Sequence, residues 1–216
     1  MDEPLTGAPF LCPAHGRSVH SPELLTADAE RLAVSDRVGD AWSAIAPVDD
    51  PKLREARERM RLLLSERPLP LDRTERPGHL TGSALVVHAD LERILILFHT
   101  KLQIWVQPGG HADGDANLAA VALREATEET GIVGLRVWPK AVDLDIHEVR
   151  PPKEDAHFHH DVRFVVLAPN GAEVAANHES EAQRWVRPID LLELGVDAGL
   201  QRLSTNGLAL ARSLVG

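Results

Sequence analysis

Short apolar runs in the middle of the chain alternate with polar turns and predict strands. Residues 83–88 and 94–98 are two such runs separated by Ala89-Asp90-Leu91-Glu92, a pattern typical of a β-hairpin. Residues 104–106 predict a third short strand that ends at Pro108-Gly109-Gly110. Alternating apolar and polar positions at 142–146 indicate a half-buried strand. Two more strands are predicted at residues 158–167 and 184–186.

Stretches in which apolar residues recur at helical spacing lie before, between and after these strands. Residues 23–46 predict a helix with Gly39 as its weak point, and Asp49-Asp50-Pro51 is typical of the start of a second helix. Arg67-Pro68-Leu69-Pro70 ends that second helix. A central helix is predicted at 117–130, stopped by Gly131 as a left-handed cap. Two further helical patterns close the chain at 189–194 and 200–214.

The order of these elements predicts two parts. Residues 1–78 are expected to form a mostly helical extension, and residues 79–216 an α/β domain in which strands are interrupted by one helix and followed by another. The helices of the extension are amphipathic, with Met60, Leu63 and Leu64 on one face. We therefore expect the extension to pack on the α/β domain or across a homodimer.

Composition and charge narrow the class of protein. Hydrophobic residues make up 44% and charged residues 26% of the 216 residues, which is typical of a folded globular chain. The net charge of −10 argues against a nucleic-acid partner. No apolar run is long enough to cross a membrane, and Met1-Asp2-Glu3-Pro4 does not resemble a signal peptide. The single cysteine fits a reducing compartment, so we expect a cytoplasmic protein.

The central helix carries a cluster of carboxylates. With about 3.6 residues per turn, Glu125, Glu128 and Glu129 fall within an arc of about 100°. Three like charges on adjacent turns repel one another, and bound divalent cations would relieve that repulsion. Arg124 can hold one of the carboxylates through charge-assisted hydrogen bonds. The alternative interpretation is a solvated acidic helix face.

The residues around this helix resemble the Nudix box. That pattern is Gly, five residues, Glu, seven residues, Arg-Glu, an aliphatic residue, any residue, Glu-Glu, any residue, Gly and an aliphatic residue. The matching positions are Gly110, Arg124, Glu125, Glu128, Glu129, Gly131 and Ile132, with Ala126 as a small aliphatic. The order of strands and helices over about residues 79–214 also resembles the Nudix fold. The resemblance implies an α/β/α sandwich with a mixed sheet, and it leaves the N-terminal extension unexplained.

The resemblance also implies an activity. Nudix hydrolases bind Mg²⁺ or Mn²⁺ and split a diphosphate linkage, here in a nucleoside-diphosphate-linked or related small molecule, by attack of water on phosphorus. The implied metal ligands are Glu128 and Glu129, with Glu125 sharing the site and Gly109 contributing its carbonyl. An additional acid outside the box is implied at Glu179, with Glu181 as the alternative.

One box position departs from the pattern. The box has Glu where this chain has Ala116. Asp115 is adjacent, and it either substitutes from one place earlier or caps the central helix. The departure and the extension support an alternative in which the chain is a catalytically weak or inactive nucleotide-binding or sensor module. A third option, chemistry like that of isopentenyl diphosphate isomerase, needs a reactive cysteine near the cleft, whereas the sole cysteine is Cys12.

The chain has 11 histidines and no tyrosine. Strand alternation places His157, His159, Asp161 and Arg163 on one face, which either opens onto the substrate cleft or is a solvent-facing edge. Arg163 and His111 are the candidates for contact with substrate. A zinc site on Cys12-Pro13-Ala14-His15 is disfavoured because no matching pair follows. The absence of tyrosine argues weakly against the dinucleoside-polyphosphate branch of the family.

Overall fold

One mixed sheet forms the centre of the computed structural model, which describes residues 23–100, 103–151, 154–174 and 180–216. Within these residues the sheet has eight strands. They are β1 (Gly78–Val87), β2 (Ile94–His99), β3 (Ile104–Val106), β4 (Gly109–His111), β5 (Arg136–Val137), β6 (Asp143–Val149), β7 (His157–Leu167) and β8 (Ser180–Val186). The α-helices are α1 (Val38–Ile45), α2 (Arg54–Glu66), α3 (Leu118–Thr130) and α4 (Ala198–Val215).

Strand β1 lies at the middle of the sheet. It pairs with β2 in the predicted antiparallel hairpin, and it runs parallel to β7 from the Gly78–Phe158 pair to the Val87–Leu167 pair. Strand β6 continues the sheet beyond β7 in antiparallel orientation. The short strand β4, which the sequence did not predict, pairs with the first half of β1. The residues of the predicted turn Gly109-Gly110 are therefore part of the sheet.

Helices cover both faces of the sheet, as an α/β/α sandwich requires. A Cβ on Gly82 would lie 2.9 Å from the carbonyl oxygen of Leu118, so α3 packs directly on β1 at this glycine. On the other face, a Cβ on Gly207 would lie 2.3 Å from Leu85, which brings α4 equally close. The predicted fold class is confirmed.

The ends of α3 follow its sequence signals. Asn117 is the N-cap, and its side chain accepts a hydrogen bond from the amide of Ala120 at 3.4 Å. Gly131 ends the helix with φ of 68°, the left-handed conformation expected of it. The interpretation of Asp115 as the cap is wrong, because Asp115 precedes Asn117 and makes a different set of contacts.

The helix predicted at residues 23–46 is wrong for most of its length. Only Val38–Ile45 is α-helical, and Glu30–Leu32 forms a single 3₁₀ turn. Leu25 instead exchanges backbone hydrogen bonds with Val137 of β5, at 2.9 and 2.8 Å. Its apolar side chain is buried by contact with the α/β part of the chain, so the helical spacing there arose from tertiary packing. At the predicted start of the second helix, Asp50 accepts from the amide of Lys52, but Pro51–Leu53 forms a 3₁₀ turn and α2 begins only at Arg54. Helix α2 ends at Glu66, before Arg67, as predicted.

The N-terminal segment shares a hydrophobic core with the sheet. Ile45, Met60 and Leu63 belong to the same buried cluster as Leu118 and Phe164. This confirms the expected burial of the apolar face of α2 against the α/β part of the chain. The division of the chain at residue 78 and the homodimer stay predictions. No helix in the described parts of the chain is long and apolar enough to span a membrane.

Candidate active site at the β4–α3 junction

Two consecutive glycines bring β4 against the glutamates of α3. A Cβ on Gly109 would lie 2.2 Å from the Oγ of Ser83 on β1, so a larger residue would separate β4 from the sheet. A Cβ on Gly110 would lie 2.5 Å from Cδ of Glu125. The carboxylate of Glu125 therefore occupies the space that a side chain at Gly110 would fill. Because α3 packs over β1 and β4 pairs with β1, these contacts follow from the fold.

Glu129 lies one helical turn beyond Glu125 and contacts the preceding glycine. Its Oε2 accepts a hydrogen bond of 3.0 Å from the amide of Gly109. The two glutamates are thus placed against two successive residues of one strand. The predicted carbonyl ligand belongs to Gly109 as well, so the structure brings three of the predicted metal-binding residues to one place.

The environment of Glu125 favours a nearby cation. Burial raises the pKa of this carboxyl above its usual value, and the hydrogen bond from Arg124 opposes that rise. Nη2 of Arg124 lies 3.1 Å from Oε1 of Glu125 and also 3.4 Å from the carbonyl oxygen of His111. Arg124 therefore holds the carboxylate of Glu125, as predicted, and it also connects the helix to β4. A further positive charge near the carboxylates would stabilise the ionised form of Glu125.

Glu128 takes a different position from its two neighbours. It is exposed and lines a groove of about 330 Å³ with Leu32 and Val34 of the N-terminal segment and with Arg124 and Thr127. Its charge still contributes to the raised pKa of Glu125. The arc predicted from helical geometry is present, but the glycines of β4 contact only its Glu125 and Glu129 edge.

Gly110→Ala tests whether the contact between Gly110 and Glu125 matters for catalysis. The added methyl group would overlap the carboxylate, which must then move away from β4. We expect kcat to fall by about 10-fold or more, since a displacement of about 1 Å at a site of charge stabilisation has effects of this size. Thermal melting should change little, because the carboxylate is the end of a flexible side chain. The matched control is Gly39→Ala in α1, where the backbone is helical and a Cβ meets nothing within 4 Å; an equal loss of kcat in that variant would contradict the assignment.

Arg163 is placed in the interior of the protein. It is 2% exposed, and its guanidinium contacts Asp161 at 2.7 Å, Asp145 at 3.2 Å and Asp143 at 3.5 Å. The predicted role in substrate binding finds no support in this geometry. The alternation that placed Asp143 at the surface is also wrong. Asp143 is fully buried, and Arg202 of α4 binds its Oδ2 at 2.7 Å.

Asp161 extends this network to β1. Its Oδ1 accepts hydrogen bonds from Oγ1 of Thr81 at 2.9 Å and Oγ of Ser83 at 2.7 Å. Ser83 is also the residue against which Gly109 packs. No local pattern marks Thr81 and Ser83 as partners of Asp161, because they lie about 80 residues from it and meet it only through parallel pairing of β1 with β7.

Histidines occupy the rest of this sheet face. The ring of His111 lies 5.1 Å from those of His79 and His159, and His157 lies 5.0 Å from His79. The backbone carbonyl of His111 therefore lies near the carboxylates of α3, and its ring contacts the other histidines. His79 was missed in the sequence because nothing in its own strand marks it. Glu179 and Cys12 lie outside the described residues, as does the side chain of Glu181.

Comparison with known proteins agrees with the fold and the box. A family model of the NUDIX domain matches residues 79–205. The Ap4A hydrolase of C. elegans, solved as a binary complex, has a TM-score of 0.51 and 16% identity over 62% of this chain and 98% of its own. A hydrolase of the NUDIX family from Clostridium perfringens has a TM-score of 0.52 and 19% identity over 62% and 97%. No curated protein matches the chain. At these identities the solved structures show a shared fold, and the domain match, which spans more than half of the chain, shows that it belongs to the Nudix family of hydrolases.

Proposed function

We propose that the protein hydrolyses the diphosphate linkage of a nucleoside-diphosphate-linked small molecule in a reaction that depends on Mg²⁺ or Mn²⁺. The observation that carries the proposal is the placement of Glu125 and Glu129 against Gly110 and Gly109. It sets two carboxylates and a strand backbone beside each other at the end of the sheet. Membership of the family supports the reaction class, and the choice of substrate within that class is the proposal.

The donor atoms at this junction suit a hard divalent cation. Mg²⁺ and Mn²⁺ prefer oxygen ligands, and Mg²⁺ is usually held by one or two carboxylates together with water and substrate phosphates. We assign Glu125, Glu128, Glu129 and the carbonyl of Gly109 as the ligands. The buried position of Glu125 supports this assignment, because a carboxylate with a raised pKa gains stability from a cation beside it.

Each protein group then has a defined task. The bound ion would neutralise the diphosphate and lower the pKa of water for attack on phosphorus. Arg124 keeps the carboxylate of Glu125 against β4 through its bonds to Glu125 and to the carbonyl of His111. The ring of His111 faces the same side of the sheet as Thr81 and Ser83, and we propose it as a contact for the substrate.

The substrate class can be tested with a panel of compounds. Metal-stripped protein would be assayed with nucleoside diphosphate sugars, nucleoside triphosphates and dinucleoside polyphosphates, each with Mg²⁺, with Mn²⁺ and with excess EDTA. We expect turnover of the nucleoside-diphosphate-linked compounds that EDTA abolishes. Isotopically labelled water should place the label on a phosphoryl product. Undiminished hydrolysis in EDTA would contradict the proposal, and tight binding without turnover would favour the sensor alternative, to which Ala116 gives support.

We assign the auxiliary acid to Glu179. Glu179→Gln is expected to lower kcat by more than 10-fold, because it removes a carboxylate that assists proton transfer or metal binding. The comparison variant is Asp115→Asn, since Asp115 is the other acid considered for this role. Its Oδ1 accepts from the amides of Ser35 at 3.1 Å and Asn117 at 2.9 Å, and asparagine can accept both bonds. We therefore expect Asp115→Asn to keep its activity; inactive Asp115→Asn beside active Glu179→Gln would reverse the assignment.

A further inference from the structure

Two buried histidines and one half-buried histidine meet on the sheet face that also carries Thr81 and Asp161. His79 lies on β1, and His157 and His159 lie on β7, with His79 directly opposite His159 in the parallel pair. One ring nitrogen from each of the three lies within 4.8 Å of the other two. His79 is fully buried and His157 is 2% exposed. Parallel pairing of β1 with β7 and alternation along β7 thus bring the three imidazole rings together.

Two rings of this cluster have their Nδ1 atoms against backbone carbonyls. Nδ1 of His157 lies 2.8 Å from the carbonyl of Asp155, and Nδ1 of His79 lies 3.4 Å from that of Glu75. A carbonyl only accepts, so these contacts put the ring hydrogen on Nδ1 and leave a lone pair on Nε2. Metal-binding histidines commonly donate their other nitrogen in this way. Nε2 of His79 and of His159 is buried without a hydrogen-bond partner among the described residues.

A purely structural cluster would leave these nitrogens unsatisfied. An unpaired buried polar atom destabilises a fold, and packing of the rings does not remove that penalty. A bound cation would satisfy all of the lone pairs at once. Burial lowers the pKa of His79 to about 4 and that of His159 to about 2, so both imidazoles are neutral at pH 7, the form that binds metals.

Nitrogen donors select a different ion from the carboxylates of α3. Imidazole suits Zn²⁺ and related transition metals, whereas Mg²⁺ prefers oxygen. Three histidines also leave one position of a tetrahedral ion open, which is the arrangement of zinc sites that bind a further ligand. The ring of His111, 5.1 Å from those of His79 and His159, is the nearest additional donor.

We propose that His79, His157 and His159 form a site for a divalent transition-metal ion of the zinc class. This histidine site has no ligand in common with the site proposed at the carboxylates of α3. His111 lies between the two sites. The protein would then hold two chemically different ions on one sheet. This proposal rests on the histidine geometry alone and does not depend on the hydrolytic activity.

Co²⁺ is the probe for the site. Tag-free, metal-stripped protein would be titrated with Co²⁺ in excess Mg²⁺, and the visible absorption of Co²⁺ would report its ligands. We expect one equivalent to bind and Zn²⁺ to displace it. His79→Phe and His159→Phe keep a ring but remove the nitrogens, and should weaken binding by more than about 100-fold. His88→Gln, Glu129→Gln and Cys12→Ser should bind as the unchanged protein does. Loss of binding in Glu129→Gln or Cys12→Ser, or unchanged binding in the histidine variants, would overturn the proposal.

A second measurement needs no variant and covers the case in which the phenylalanine proteins fail to fold. Nitrogen NMR of the histidine rings in the unchanged protein would be recorded before and after one equivalent of Zn²⁺. The Nε2 signals of three histidines should shift while the signal of His88 stays in place. The melting temperature should rise with Zn²⁺ concentration, because only the folded chain presents the site. If no histidine signal moves, the site does not exist.

Discussion

Glu129→Gln is expected to lower kcat by about 100-fold or more while leaving the fold intact. The variant removes the negative charge of a proposed metal ligand and with it the stabilisation of charge in the transition state. Glutamine is nearly the same size and its side-chain oxygen can still accept the hydrogen bond from the amide of Gly109. Steady-state kinetics therefore report the effect of losing the charge, and thermal melting reports whether the contact and the fold are retained.

Two further substitutions sharpen this experiment. Glu128→Gln should also lower kcat by about 100-fold, because Glu128 is assigned to the same ion. Glu55→Gln on the exposed side of α2 is the matched control and should change nothing. Without metal, both box variants should melt at the same temperature as the unchanged protein or higher, since like charges on adjacent turns are removed. A sharp fall in melting temperature would identify these glutamates as structural.

A chain beginning at His79 is expected not to fold. Removing the extension uncovers the faces against which Ile45, Met60 and Leu63 pack, all of them in the same cluster as Phe164 of β7. Burial of each such side chain stabilises the fold by about 1.5–3 kcal/mol, and a whole domain is stable by only about 5–15 kcal/mol. Loss of the burial of these side chains and their neighbours would remove most of the free energy that keeps the domain folded. Circular dichroism and size-exclusion chromatography would show an unfolded or aggregated chain.

The matched control is a chain beginning at Glu23, which keeps every contact described for the extension. It should melt as the full chain does. A shortened chain from His79 that is soluble, monomeric and fully active would refute the structural role of the extension. It would also establish residues 79–216 as an independent domain, which is so far a prediction.

Local signals predicted the central elements of this fold. The hairpin of β1 and β2 and the limits of α3 follow from alternation, capping and glycine conformation, all of which act between near neighbours. Strand β4 was not predicted, because paired glycines usually signal a turn and its partner β1 is more than 20 residues away. The helix predicted at residues 23–46 was wrong for most of its length, because the spacing of apolar side chains such as Leu25 reflects their contacts with distant parts of the chain and not a helical repeat.

The candidate site was predicted in the same uneven way. The box gave Arg124 and the glutamates, whose neighbours in sequence are also neighbours in space. The burial of Arg163 could not be foreseen, because its three aspartate partners come together only when β6 and β7 pair. His79 joins His157 and His159 through a pairing between strands that begin almost 80 residues apart. Chemistry assembled across strands was therefore the part that sequence reasoning missed.

The position of Ala116 has a consequence for redesign. Its amide donates to the carbonyl of Ser35 at 2.6 Å, and the next residue towards the N-terminus, Asp115, accepts from the amide of Ser35. The N-terminal segment is thus hydrogen-bonded to Ala116, the position at which the Nudix box has a glutamate. Ala116 is fully buried. Restoring the consensus by Ala116→Glu would introduce a charge beneath Ser35, which is unfavourable unless a partner is supplied. Engineering this motif toward the consensus would therefore require rebuilding the attachment of the N-terminal segment at the same time.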